Sequence, residues 1–224
     1  VETTITRLRA VHLVGASVVD AVVDWPATVG GDVPRFVAEL RGRSVRALSR
    51  RGKYIRLDLS DDAALLVHLR MSGRLYLATS SASLTGYERL RGILADGREL
   101  RFYDPRKFGR VVHTRDPEAI LAPLGVEPLS PGFTASRLAA LLRARRRMIK
   151  PLLLDQRVVA GLGNIYTDEA LWSAGIHPLR RSDAINDAEA TRLRDAIVEA
   201  LHRGIRNGGT SLGGGKSNFL GGVD

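Results

Sequence analysis

Cysteine is absent from this chain of 224 residues, which excludes disulfides and any thiolate metal site within it. The five histidines (His12, His68, His113, His177 and His202) follow no metal-binding spacing, so no metal site is expected. No apolar run approaches the roughly 18 residues of a membrane-crossing helix, and no membrane partner is expected. No basic–apolar–small leader opens the chain, so the expected location is cytoplasmic. Aromatic residues are sparse at 5%. Acids are outnumbered: 34 Lys and Arg face 24 Asp and Glu, a net charge of +10. Such a field favours a polyanionic partner without saying which; ribosomal proteins and anionic-membrane binders share it. What is present, 44% hydrophobic and 26% charged, belongs to a globular protein of one large or two small domains.

The pattern along the chain changes once. Residues 2–14 place Ile5, Leu8, Val11 and Leu13 near helical spacing, with Gly15 as a stop. Short alternating or apolar segments then occupy 16–23, 44–49, 53–59, 64–70, 73–79, 89–94, 99–104 and 110–114. They are bounded by Gly, Asp and Ser, and predict a two-sheet sandwich or a barrel. The small, polar loop Ser80–Gly86 is expected to be mobile. Residues 117–132 hold four prolines and read as a linker. Beyond it the chain is helical. Leu138, Leu141 and Leu142 stripe one segment. A helix is expected from about Lys150 to the glycines at 161 and 163. A second carries Tyr166, Ala170, Leu171 and Trp172 and ends at Gly175 and Pro178. A long helix runs from an Asn186 or Asp187 cap to Gly208 and Gly209. The expected fold class is α+β, with an N-terminal β-sandwich domain over 1–116, a linker over 117–132 and a helical domain over 133–224.

Four stretches are chemically suggestive. Gly161-Leu162-Gly163-Asn164 suits a tight double turn with positive φ. A helix beginning there would aim free N–H groups and a positive dipole end at an anion. Seven basic residues between Arg41 and Arg56, Lys53 among them, include no acid in their number. Val67-His68-Leu69-Arg70-Met71-Ser72-Gly73 reads as a strand and a glycine turn. Asp104-Pro105-Arg106-Lys107-Phe108-Gly109 reads as a rigid loop. A further basic cluster comprises Arg143, Arg145, Arg146, Arg147 and Lys150. Each stretch has an ordinary reading as well: a helix hairpin, a buried methionine, a solvated charged face.

Taken together and in order, these stretches resemble the motifs of the formamidopyrimidine-DNA glycosylases, bacterial enzymes that remove oxidised purines. Gly161–Tyr166 with Ala174–Pro178 resembles the family's helix–two-turn–helix. His68–Gly73 resembles H-L-x-M-S-G, Asp104–Gly109 resembles D-P-R-[RK]-F-G, and Arg50–Ile55 resembles R-R-x-K-Y-L. The resemblance implies a base-excision repair glycosylase and abasic-site lyase. It would flip 8-oxoguanine or formamidopyrimidines out of double-stranded DNA and cleave the abasic site through an imine on an N-terminal proline. It implies Lys53 as a catalytic residue beside the lesion phosphate. His68, Met71, Tyr87, Arg106, Phe108, Arg146, Lys150 and Asn164 are implied as DNA contacts. Met71, Arg106 and Phe108 would fill the space of the flipped base, and Asn164 would hold a phosphate. Tyr87 stands seventeen residues before Asp104, where the family usually has a histidine. Asp155 and Glu169 read as braces at helix ends.

The opening V-E-T-T resembles the segment immediately after the family's M-P-E-L-P-E start. The nucleophilic proline and the adjoining acid/base glutamate are therefore expected upstream of Val1. The glycine-rich close of the chain resembles a shortened lesion-covering loop. The expectation is a fragment or a short relative, with zinc needed only if a C-terminal finger exists and no cofactor within these residues. The alternative is a damaged-DNA-binding homologue without catalysis. The expected partner is lesion-containing or abasic duplex DNA, met by a monomer in a bacterial, nucleoid-associated setting.

Overall fold

In the computed structural model, residues 1–209 are described, together with the backbone of two-residue strands at Ser217–Asn218 and Gly222–Val223. The chain forms two compact units, Val1–Ala122 and Pro123–Asp224. The glycine-rich loop read from Thr210 onwards otherwise falls outside the described residues.

The first unit opens with α1 (Glu2–Ala10), which buries Ile5 and Leu8. The expected helix is shorter than its apolar pattern, because His12 takes a left-handed backbone (φ 52°) and turns the chain out. Eight antiparallel strands come next: β1 (Val18–Val22), β2 (Val45–Arg51), β3 (Tyr54–Leu59), β4 (Ala64–His68), β5 (Arg74–Thr79), β6 (Glu88–Leu94), β7 (Arg98–Tyr103) and β8 (Arg110–Thr114). They form two four-stranded sheets, β1-β6-β7-β5 and β2-β3-β4-β8. Strand β3 alternates, burying Ile55, Leu57 and Leu59, whereas Ala64–Val67 of β4 are buried throughout. Leu57, Leu65, Val67 and Val111 of one sheet face Val18, Leu75, Leu90 and Leu100 of the other. The sandwich expected from the strand pattern is the fold observed.

One helix escaped the strand reading: α2 (Val33–Leu40), which buries Phe36 and Leu40. Its signal is local, an Asp32 carboxylate that accepts from the Arg35 N–H (3.1 Å) and a proline in the first turn. The loop expected to be mobile is anchored from beneath. Arg101, buried in β7, donates to the carbonyls of Thr79, Ala82 and Ser83. The buried Glu88 carboxylate accepts from the N–H groups of Thr85 and Gly86 and from the Thr85 hydroxyl. These hydrogen bonds hold Glu88 down to about 2 against the cost of burial.

The second unit packs α4 (Ala135–Arg143), α5 (Ile149–Leu154), α6 (Asn164–Ala174) and α7 (Asp187–Arg206) around Leu138, Leu142, Leu152, Leu171, Leu193 and Ile197. Asn186 caps α7 in a reciprocal capping box with Glu189. Two expectations change. Helix α5 ends at Leu154, well before the glycines, because the Asp155 carbonyl accepts from Val158 and Val159 and turns the chain. The expected linker is partly structured: α3 (Glu118–Leu121) closes the first unit, and Gly125 and Val126 bond to Gln156, Val158 and Ala160 in the second. Among the described residues, no helix is long and apolar enough to cross a membrane.

Candidate nucleic-acid interface

In the first unit the implied residues gather on two turns and one hairpin. The β4–β5 turn carries Met71, and the β7–β8 loop carries Arg106 and Phe108. A single buried carboxylate joins the two: Asp104 accepts from the Ser72 hydroxyl (2.6 Å), the Arg106 N–H (3.3 Å) and the Gly109 N–H (2.7 Å). The Arg110 guanidinium gathers the carbonyls of Lys107, Phe108 and Gly109 on the same loop. A side chain at Gly109 would run into the Phe102 ring, which explains the glycine. The tips meet where the Arg106 guanidinium donates to the Met71 sulfur at 3.7 Å. Met71 is nevertheless 69% exposed and Phe108 55%. With Arg70 and Arg110 they line an open recess. Two large apolar side chains are thus held in solvent by a buried polar brace. Leaving each out forgoes about 1.5–3 kcal/mol of burial.

Lys53 lies in the two-residue Gly52–Lys53 turn between β2 and β3, not on a strand as expected. Of the six other basic residues from Arg41 to Arg56, five sit against carboxylates: Arg41–Asp20, Arg43–Asp61, Arg46–Asp62, Arg50–Glu2 and Arg56–Asp58. Lys53 has no such partner among the described residues. Burial, then the Arg70 charge, lowers its ammonium below the ordinary lysine range. His68 stacks edge-on against Tyr54, and its Nδ1 accepts from the Arg70 N–H at 3.2 Å. Tyr87 is exposed at the start of β6, edge-on to Tyr103, with the Arg89 guanidinium over its ring.

Burial pushes His68 down from 6.5 to about 4, helped by Arg70 and Lys53. The folded state therefore binds fewer protons than the unfolded one between those values. The stability this site contributes is full above about 6.5 and is lost as pH falls towards 4. Thermal melts at about pH 7 and about pH 4.5 should show the His68→Gln variant losing less on acidification than the parent. Equal losses would remove His68 as a source of acid sensitivity.

In the second unit the double turn is built differently from the expectation. Gly161 has positive φ (94°), but Gly163 is extended (φ −110°) and serves as the N-cap of α6. A glycine cap offers no side chain to the first-turn N–H groups, and that turn holds no acid. Asn164 is the exposed first residue of the helix. Gln156, which sequence reasoning passed over, staples the turn. Its Oε1 accepts from the Gly161 N–H (2.9 Å), and its Nε2 donates to the carbonyls of Leu154 and Leu162. Asp155 braces the end of α5 by accepting from the Arg157 N–H and the Arg147 guanidinium.

The basic cluster here is mostly paired. Lys150 is bound to Asp168 (2.7 Å), Arg147 to Asp155 and Arg143 to Asp187. Arg146 is the loosest, 81% exposed and 3.9 Å from Asp183. No cysteine is available for a zinc finger. Among the described residues, no group of three or more His, Asp or Glu is placed to hold a metal.

Comparison with known proteins bears on the same two units. The family model for the formamidopyrimidine-DNA glycosylase N-terminal domain matches residues 1–111, and that for its H2TH domain matches 124–214. The formamidopyrimidine-DNA glycosylase of Protochlamydia amoebophila is 39% identical over 220 residues, 98% of this chain and 80% of that protein. That of Roseiflexus is 46% identical over 206 residues, 90% of this chain and 76% of that protein. The Lactococcus lactis enzyme bound to FAPY-dG-containing DNA superposes with a TM-score of 0.87 at 34% identity, covering 94% of this chain and 80% of that one. The same enzyme on abasic-site DNA gives 0.85 at 34% identity, covering 94% and 81%.

Proposed function

Because the chain belongs to the formamidopyrimidine-DNA glycosylase family, we propose that it recognises oxidised purines and abasic sites in duplex DNA, and that with the family's N-terminal proline in place it excises the base and cleaves the strand. The observation that carries this reading is the exposed trio of Met71, Arg106 and Phe108, braced by buried Asp104. An isolated domain gains nothing by holding methionine and phenylalanine in water. A duplex with a base flipped out offers an apolar gap between stacked neighbours, and filling it offsets the few kcal/mol of unstacking. Arg106 then hydrogen-bonds the widowed partner base, and Phe108 wedges beside it.

The phosphates are held elsewhere. The open N-terminus of α6, with the Asn164 side chain, binds the backbone beside the lesion. Lys53, short of a carboxylate partner, takes a phosphate on the first unit. His68 and Tyr87 supply neutral donors, and Arg146, loosely paired, swings to a further phosphate. Lys150 reaches DNA only by leaving Asp168, so it contributes least.

In the reaction, the secondary amine of the proline attacks C1′ of the damaged nucleotide and the base leaves. The C1′–O4′ bond then breaks, O4′ taking a proton as the sugar ring opens, and the iminium so formed acidifies the C2′ proton, whose removal expels the 3′ phosphate. Lys53 assists that proton transfer.

Filter binding to an abasic-site duplex across several salt concentrations tests the phosphate assignment. Asn164→Ala should weaken binding about tenfold, near the low end for a hydrogen bond to a charged group. The salt slope should stay unchanged, because a neutral side chain displaces no counterion. Lys53→Ala should flatten the slope by about 0.9. Unaltered affinity of the Asn164 variant at every salt concentration would remove α6 from the interface.

A further inference from the structure

The loop that carries Arg106 and Phe108 is held on a third side by a contact that neither motif includes. Lys107, between them, takes a left-handed backbone (φ 61°), which only a few per cent of non-glycine residues adopt. Its ammonium lies 4.0 Å from the centroid of the Trp25 ring, well inside cation–π range. Trp25 is in turn fixed. It is the N-cap of the 3-10 turn Pro26–Val29, which packs beside β8. The Trp25 carbonyl accepts from the Thr28 N–H (2.9 Å), and its N–H donates to the Arg89 carbonyl (3.4 Å). The Arg89 guanidinium donates to the Asp104 carbonyl at 2.8 Å. Trp25 thus belongs to the framework that carries Asp104, yet its indole grips the middle of the loop.

We propose that Trp25 is a positioning residue for lesion recognition: by holding Lys107 over its indole face, it presents Arg106 to the partner base and Phe108 to the base stack. The argument is geometric. Asp104 fixes the N–H groups at Arg106 and Gly109, and Arg110 fixes the carbonyls from Lys107 to Gly109. The Lys107 N–H also donates to the Asp104 carbonyl (3.3 Å), so the backbone is held on both sides of Lys107, but none of these bonds seats its side chain on the framework. The contact with Trp25 gives the Lys107 side chain that seat and so reinforces the left-handed turn between Arg106 and Phe108. The ring stays partly exposed, at 36%, so the grip is a surface clasp and not part of the core.

This inference rests on the reading of Arg106 and Phe108 as void fillers, and two measurements separate the two ideas. The first is binding of Trp25→Ala, Trp25→Phe and Lys107→Met to abasic duplexes with each of the four bases opposite. Trp25→Ala and Lys107→Met should each lose about tenfold in affinity and flatten the preference among opposite bases. Trp25→Phe keeps an aromatic face and should retain most of both. The second is amide hydrogen exchange at Lys107 and Gly109 in the free protein, which should quicken about tenfold in Trp25→Ala. Faster exchange in a protein whose parent shows no abasic preference would uphold the clasp and sink the void-filling reading. Unchanged exchange and unchanged opposite-base preference in Trp25→Ala would overturn the clasp. So would a fall in melting temperature that Trp25→Phe shares in full, since that marks a purely structural tryptophan.

Discussion

Replacing Asp104 with alanine should abolish the preference for abasic over intact duplex while leaving ordinary duplex binding nearly intact. The carboxylate is buried and satisfies the Ser72 hydroxyl and the Arg106 and Gly109 N–H groups together. Its removal strands a buried N–H at Gly109 and cuts the bond from Ser72 that ties the Met71 turn to the Arg106–Phe108 loop at their base, leaving the contact at their tips. Two charge-assisted hydrogen bonds at about 1.5–3 kcal/mol each set the scale, so the loss of stability should be about 3–5 kcal/mol. The first unit should therefore melt about 10–20 degrees lower. Recognition should fall as well, because Met71, Arg106 and Phe108 must arrive together to fill one gap. A loss on the order of 100-fold for the abasic duplex corresponds to about 2.7 kcal/mol. Binding to intact duplex runs through phosphates and should change by less than about threefold. Asn at this position separates the two effects. It keeps the shape and one acceptor, but its NH2 must oppose either Gly109 or the Ser72–Arg106 side, so an intermediate loss is expected. Melting and discrimination that both match the parent in Asp104→Ala would show that the loops hold their pose without the carboxylate.

This brace was not legible in the sequence for a physical reason. Asp104 was visible as the first letter of a motif, but its most telling partner, Ser72, is 32 residues away and belongs to another motif. Periodicity reports which face of a strand is buried; it carries no record of which distant hydroxyl meets which carboxylate. The same holds for Arg101 beneath the Ser80–Gly86 loop, where small polar residues suggested mobility and a buried guanidinium supplies the order. Gln156 was missed because its amide stands in for backbone groups inside a turn, a role with no composition signal. The basic runs illustrate the converse limit. Charge counting places Arg46 and Lys53 in one class, yet Arg46 is bound to Asp62, from a different strand connection, while Lys53 is not so bound. What was legible were elements where local chemistry decides: eight short alternating or apolar strands, a cap at Asn186 or Asp187 and the glycine-broken entry to α6. The two motif turns were legible for the same reason, since each sets a special backbone shape beside an unusual side chain.

The largest change of all is expected from six residues. Extending the chain by M-P-E-L-P-E, with the methionine removed, should let borohydride trap a covalent complex on an abasic duplex, and the chain beginning at Val1 should give none. The structure sets the geometry at the point of extension. Glu2 is paired with Arg50 at 2.8 Å, and the Arg50 guanidinium also donates to the Gly52 carbonyl, so the start of α1 is fastened to the turn that carries Lys53. Five further residues span at most about 17 Å, enough to carry a terminal amine across that turn. The Val1 nitrogen is a poor substitute. Burial lowers its pKa, which would favour nucleophilicity, but its carbonyl accepts from the Ile5 N–H and commits it to the first helical turn. Lys53→Ala in the extended chain should leave trapping intact and slow strand cleavage by about 100-fold or more, the range for a lost general acid or base. Loss of trapping in that variant would instead make the lysine itself the imine-forming amine. No adduct from either chain, with abasic preference retained, would mean recognition without chemistry, the reading in which the scaffold binds damage and leaves it uncut.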